Sequence, residues 1–417
     1  MGARTLSLIL TSILLLVIDF YIFYGLRSIR KKWNARINVI FNYAWWGWSV
    51  LLILAVFLGM YFNARLTIRS IALVAFFITF VSKLVFLPFL FIDDIRRLFI
   101  WGKRKATTAK KATESPADAE KISRSEFLLK AGIAVAAVPF TSLTWGIASG
   151  AYDYQIRRQK LHLKNLPKAF DGMKIAQLSD IHSGSFYNRR AVLGGVEMLL
   201  KEKPDMAFFT GDIVNNLASE MTEYQDIFSK VRAPLGVYSV LGNHDYGEYY
   251  FGPAPSAAKA KNLEGLIATH KNMGWDLLMN ENRRITVDGE EIAVIGIENW
   301  GGGRFPKFGR MDLAVQNTND VPVKLLLSHD PSHWKAQVLK DYPQIDAMFS
   351  GHTHGMQFGV QTESFQWSPV QYVYDEWAGL YQQNDQQLYV NVGYGFLGYP
   401  GRVGILPEIT IFELKQA

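Results

Sequence analysis

Apolar positions in this chain fall into two regimes. In the first 150 residues they run on almost without interruption in four stretches, 6–26, 44–62, 71–92 and 127–148. Each is long enough to cross a bilayer, which takes about 20 mostly apolar helical residues. From residue 151 onward the apolar residues come in short runs that stop at a polar residue. Residues 173–179, 206–210, 237–241, 323–327 and 345–349 are five such runs, and each reads as a buried strand with a polar tip. Helical spacing falls between the early runs, at 190–201 and 222–231. Strands alternating with helices predict an α/β arrangement, and the carboxyl ends of side-by-side strands share one rim, where open sheets bind ligands. The pattern divides the chain into three parts. They are a membrane region of three spans with a basic linker (1–126), a fourth, signal-anchor-like span (127–150) and a globular domain (151–417).

Charge refines this division. The chain carries a net charge of +7, but much of the excess sits beside the apolar stretches. Arg27, Arg30, Lys31, Lys32 and Arg36 form one cluster, and Arg96, Arg97, Lys103, Arg104, Lys105, Lys110 and Lys111 another. Basic flanks of this kind set membrane orientation and touch anionic lipid, so the bilayer rather than nucleic acid is the expected partner. The short loop 63–70 carries just Arg65 and Arg69. The asymmetry predicts a multi-pass cell-membrane protein with the first and third loops cytoplasmic and residues 151 onward outside. Residues 105–126, with Pro116, read as a flexible linker. Residues 123–130 resemble a twin-arginine signal, but Ser125 stands where the second arginine belongs, and a basic flank before a signal-anchor helix accounts for them. Asp19 and Lys83 fall inside spans, where each is costly unless it snorkels, pairs or meets a lipid head group.

The polar tips carry the candidate chemistry. They read Asp180-Ile181-His182, Gly211-Asp212, Gly242-Asn243-His244-Asp245, Ser328-His329-Asp330 and Gly351-His352-Thr353-His354-Gly355, and they hold five of the chain's eight histidines. There is no cysteine, so any metal is held by carboxylate, amide and imidazole, a set that suits manganese, iron, zinc or cobalt. Taken in order, the five tips resemble the calcineurin-like metallophosphoesterase superfamily over roughly residues 170–417, as a membrane-anchored subgroup. The resemblance implies a four-layer α/β/β/α sandwich preceded by an all-α membrane domain of about four transmembrane helices. It implies two divalent metal ions (Mn²⁺, Zn²⁺ or Fe²⁺), one on Asp180, His182 and His354 and the other on Asn243, His329 and His352, with Asp212 bridging. A shared water of lowered pKa then attacks phosphorus in line. His244 gives a proton or hydrogen bond to the leaving oxygen, and Asp245 orients its imidazole.

Two departures narrow the resemblance. Asn215 stands three residues after Asp212, where purple acid phosphatases carry a tyrosine, so a tyrosinate-ligated ferric site is not expected. Met356 replaces a second glycine after the histidine pair. Arg402, in a glycine-rich turn, is a candidate phosphate contact, with an ordinary salt-bridged arginine as the competing reading. Tyr246, Tyr249, Tyr250 and Phe251 are candidates for an apolar rim or for core packing. Residues 301–304, Gly-Gly-Gly-Arg, read as a rim loop, and His162, His270 and His333 as packing or surface residues. The expected function is a phosphodiesterase or pyrophosphatase acting on a lipid-linked or envelope phosphoester. A soluble phosphomonoester or nucleotide is the alternative substrate, and a non-catalytic metal-binding membrane scaffold the alternative function.

Overall fold

The structure, a computed structural model, describes residues 3–61, 66–106, 124–303, 305–362 and 364–417. Its contacts divide the chain into two compact units, Met1–Thr144 and Trp145–Ala417. Four helices carry the four apolar stretches: α1 (Ala3–Gly25), α2 (Ala35–Tyr61), α3 (Leu66–Ala106) and α4 (Arg124–Ala148). All four are long and apolar enough to cross a membrane. Two run well beyond their apolar stretch. Helix α2 starts well before residue 44, so Trp45 and Trp48 lie inside it and line a cavity of about 330 Å³ with Ile22, Thr79, Lys83 and Phe86. Helix α3 continues past residue 92, where Asp93 pairs at helical spacing with Arg96 and Arg97. Of the expected linker, residues 107–123 lie outside the described residues, as do Arg65, Lys110 and Lys111.

Of the readings open for Asp19 and Lys83, the structure takes the pair. Asp19 is fully buried, and Lys83 reaches from α3 to its carboxylate while Nζ lies 3.4 Å from Ser49 Oγ on α2. The ammonium is thus satisfied inside the bundle rather than left to hydrocarbon. Breaking such a pair leaves an uncompensated buried charge, whereas replacing both members does not. Lys83→Met is expected to destabilise the membrane unit by about 3–5 kcal/mol, and Asp19→Leu/Lys83→Met to regain most of it, in unfolding measured in detergent.

The second unit is built on strands that, in chain order, are β1 (Gln155–Leu163), β2 (Lys174–Leu178), β3 (Met206–Phe209), β4 (Val237–Ser239), β5 (Asp276–Leu277), β6 (Glu281–Val287) and β7 (Glu290–Gly296). There follow β8 (Lys324–Leu327), β9 (Ala347–Ser350), β10 (Val360–Gln361), β11 (Gln366–Trp367), β12 (Gly379–Gln383), β13 (Gln386–Val390) and β14 (Glu408–Gln416). One sheet has the order β1-β14-β2-β3-β4-β5 and a second β12-β13-β9-β8-β7-β6, with β10 and β11 a separate hairpin. Strands β2 to β5 run parallel, as do β7, β8, β9 and β13.

Alternation along each strand makes the layers. Met206 and Phe208 of β3 face Leu325 and Leu327 of β8 in a core between the sheets. Ala207 and Phe209 point the other way, against Val192, Val196 and Leu199 of α5 (Arg189–Lys201) and Leu266 and Met273 of α6 (Ala257–Met273). Leu326 and Met348 cover the outer side of the second sheet with Trp334 and Val338. The result is a four-layer α/β/β/α sandwich whose central strands are buried on both faces, hence their unbroken apolar runs. Helix α5 forms where its spacing predicted, with Asn188 accepting from the Ala191 N–H and a buried stripe of Val192, Gly195, Val196 and Leu199. The helix expected at 222–231 is instead a 3₁₀ segment, Ala218–Glu223, and a single α turn, Gln225–Phe228.

Candidate functional site

Each polar tip follows the carboxyl end of a parallel strand. Asp180 and His182 follow β2, Asp212 follows β3, and Asn243 and His244 follow β4 in the first sheet. His329 follows β8, and His352 and His354 follow β9 in the second. The rim expected of one sheet is therefore shared by two sheets lying face to face. The chain reverses hard to do this. Asp180 (φ 52°), His182 (48°), Asp212 (59°), His352 (74°) and His354 (52°) all sit in the left-handed region. For residues with a Cβ this stores roughly 1–3 kcal/mol each, and such residues cluster at functional sites. Cross-links hold the turns: Asp180 N–H donates to Gly211 O at 2.9 Å and His182 N–H to Asp212 O at 3.1 Å. Gly242 has no room for a side chain, since a Cβ there runs into the Asp212 carboxylate.

Two buried ligand groups result, Asp180–His182–His354 and Asp212–His329–His352, each with its donor atoms within 4.8 Å of one another. In the first, His182 Nε2 and His354 Nε2 face each other at 3.0 Å, and His354 Nε2 lies 3.2 Å from Asp180 Oδ1. In the second, His352 Nδ1 lies 2.9 Å from Asn243 Oδ1 and 3.2 Å from His329 Nε2. Asp212 Oδ2 stands between the groups, 3.1 Å from His329 Nε2 and 3.7 Å from His182 Nε2. Imidazole nitrogens aimed at one another and at buried carboxylates are a donor set that a divalent cation satisfies, so these residues fit metal ions.

The outward nitrogens decide the tautomers. His329 Nδ1 donates to Thr210 O at 2.7 Å and His182 Nδ1 to Asn215 Oδ1 at 3.1 Å, which leaves Nε2 of each free to act as a ligand. His244 Nδ1 donates to Asn215 O at 2.8 Å, and its backbone N–H donates to Asp212 Oδ1 at 2.8 Å. Burial pulls His182 well below the usual histidine range, with His354 adding to the effect. Burial also pulls at His329, but the Asp212 carboxylate overrides it and raises the group to about 10. Burial opposes charge on Asp212 as well, yet His329, His244 and His182 hold its carboxyl well below the usual range.

Two expectations change. Asp245 does not orient His244. Its carboxylate is fully buried and accepts backbone N–H groups from Gly242, Asp212 and Ile213 at 2.9 Å, so it braces the turns, and burial with neighbouring Asp212 pushes it up to about 8. The Asn215 carbonyl orients His244 instead. Arg402 is 1% exposed and donates to the carbonyls of Gly395 (2.6 Å) and Val392 (2.8 Å), with Nη2 3.3 Å from His354 Nδ1. It supports the wall behind His354 and does not face a phosphate. Tyr246 belongs to the core, while Tyr249 and Tyr250 are exposed. His270 bonds Ser239 and His333 bonds Ser328 and Gln337, both buried. Met356, at φ 48°, is half exposed. Arg304 lies outside the described residues.

Residues 173–356 match the family described as calcineurin-like phosphoesterase, and residues 4–151 the one described as probable calcineurin-like phosphoesterase, transmembrane domain. The chain carries a calcineurin-like metallophosphoesterase domain. Its relatives carry phosphoester hydrolase names, the domain implies divalent metal ions, and four helices are long and apolar enough to cross a membrane. It is 29% identical over 71% of its length to an uncharacterized metallophosphoesterase, YkuE, of Bacillus subtilis, and covers 99% of that protein. It is 28% identical to a Danio rerio transmembrane protein with metallophosphoesterase domain, over 66% of this chain and 60% of that one. It is 26% identical to a UDP-2,3-diacylglucosamine pyrophosphatase, LpxG, of Chlamydia trachomatis, over 61% of this chain and 88% of that one.

Two outcomes follow from the geometry of this metallophosphoesterase. Gly242→Ala is expected to displace the Asp212 carboxylate and abolish metal uptake, read by elemental analysis after dialysis, while the fold survives in circular dichroism. His329, protonated at pH 8 with its group at about 10, must lose that proton to act as a ligand. Metal loading at pH 8 is therefore expected to release about one proton more in the wild type than in His329→Gln, measured by calorimetry in buffers of different ionisation enthalpy.

Proposed function

We propose that this protein hydrolyses a lipid-linked phosphodiester or pyrophosphate at two divalent cations. Asp180, His182 and His354 hold one cation, Asn243, His329 and His352 hold the other, and Asp212 bridges them. The observation that carries this reading is Asp212 Oδ2, which faces a histidine of each group at 3.1 and 3.7 Å. Bound as a pair, the cations supply a water of lowered pKa and carry charge on the phosphoryl oxygens. The donors are hard oxygens and imidazole, consistent with manganese, iron or zinc.

The residues do the rest. With Nδ1–H committed to Asn215 O, the Nε2 of His244 is the atom that gives a proton to the departing oxygen, as the charge developing there requires. Its backbone bond to Asp212 Oδ1 ties the proton donor to the bridging carboxylate. For the substrate, the reading rests on three supports: the four apolar helices, the exposed Tyr249, Tyr250 and Met356, and the lipid substrate in the name of the Chlamydia relative. Basic loops after the first and third spans favour an extracytoplasmic catalytic domain.

Hydrolysis of an aryl phosphodiester with added Mn²⁺ is the test. Asp212→Ala is expected to abolish it, and His244→Ala to lower kcat about 10²–10⁴-fold, most for esters with the poorest leaving groups. A metal-replete, folded protein that turns over no phosphoester, soluble or lipid-linked, would leave a non-catalytic scaffold. Protease added to intact spheroplasts is expected to cleave residues 151 onward, and protection would reverse the orientation.

A further inference from the structure

The outer supports of the two ligand groups differ in kind. In the first group, His182 leans on Asn215, whose amide is held in turn by Ser185, and Arg402 lies behind His354, fully buried. In the second, Asp212 and His329 are fixed from the core, Asp212 by the His244 backbone and His329 by Thr210 O. Asn243 and His352 also lean on the cleft wall. Asn243 Nδ2 donates to Tyr249 Oη at 3.0 Å, which turns the amide oxygen inward toward His352 Nδ1. His352 Nε2 lies 2.7 Å from Tyr374 Oη and 3.5 Å from Asp330 Oδ2, a buried oxygen without another hydrogen-bond partner. Tyr249 sits on a single exposed turn, Glu248–Phe251, with its ring 4.5 Å from that of His244, and Tyr374 follows the 3₁₀ turn Pro369–Tyr372. Both lie outside the two sheets.

We infer that Tyr249 and Tyr374 are positioning residues that set the affinity of the second metal site independently of the first. This rests on the two-cation reading above. The physical reason is general: a ligand imidazole or amide is oriented and made more basic by what its far side bonds, and losing such a partner typically costs 10–100-fold in metal affinity. Here both partners are phenols on surface segments, one of them packed on the proton donor His244. The second site therefore leans on phenols of the cleft wall, whereas the first leans on the Asn215 amide and the buried Arg402.

The test uses the full chain in detergent, stripped of metal and titrated with Mn²⁺, with electron paramagnetic resonance to separate isolated from spin-coupled ions. Tyr249→Phe and Tyr374→Phe are each expected to weaken the second ion about 10–100-fold and leave the first unchanged, so the coupled signal gives way to an isolated one at limiting metal. Tyr250→Phe, on the same turn but with its ring against Phe251, is expected to titrate as wild type. Two ions of unchanged affinity in both variants would overturn the inference, as would equal weakening of both sites. A wild type that binds a coupled pair but hydrolyses no phosphoester would sink the proposed function and leave the tyrosine roles standing. A wild type that never binds a pair would sink both.

Discussion

One carboxylate has to serve two sets of ligands that arrive from different sheets. Asp212 lies at the end of β3, yet its Oδ2 faces His329 from β8 as well as His182 from β2. The surrounding architecture is what this requires. Two mixed sheets stack face to face so that the carboxyl ends of β2, β3 and β4 meet those of β8 and β9, and Gln177 stitches them just behind the site by donating to Thr210 Oγ1 and Ser350 O. The turns that follow are left-handed at five ligand-type residues, a strain borne because the cross-links and the Asp245 brace over-determine the backbone.

Charge follows from that convergence. Burial alone makes Asp180, Asp212 and Asp245 reluctant to ionise, and Asp180 and Asp212 stay charged because imidazoles crowd them, His354 beside the first and His329 beside the second. The Asp212 carboxylate in turn holds His329 up at about 10. A cation pair bound there would take over that attraction, and the residues that would hold it are gathered before any ion binds.

Much of this was legible in the chain. A strand buried on both faces must be apolar throughout, so the residue where polarity begins marks both the strand end and the site, as at Ser179-Asp180 and Ser328-His329. What stayed hidden depends on distances that sequence order does not encode. Asp245 follows His244 directly, yet points back under Asp212, and the carbonyl that holds His244 belongs to Asn215. The glycine-rich turn made Arg402 a candidate phosphate contact, but there the backbone closes over the guanidinium and buries it. Tyr374 carried no signal, since it is one of several aromatics in a stretch that lies outside every motif, 22 residues on from His352. Helix α6 opens on Ala and Lys and buries few side chains, Leu266, Thr269, His270 and Met273, too sparse a stripe to read. In the membrane unit, hydropathy located the spans but not their lengths, because charged turns of α3 continue the helix beyond the apolar stretch.

The most direct test of a two-cation centre built on Asp212 is crystallography of the metal-replete protein with anomalous scattering recorded at the metal edge. The account predicts two peaks about 3.5–4 Å apart, one on either side of the Asp212 carboxylate, with His354 on one and His352 on the other. A single peak, or a pair that Asp212 does not bridge, would contradict it.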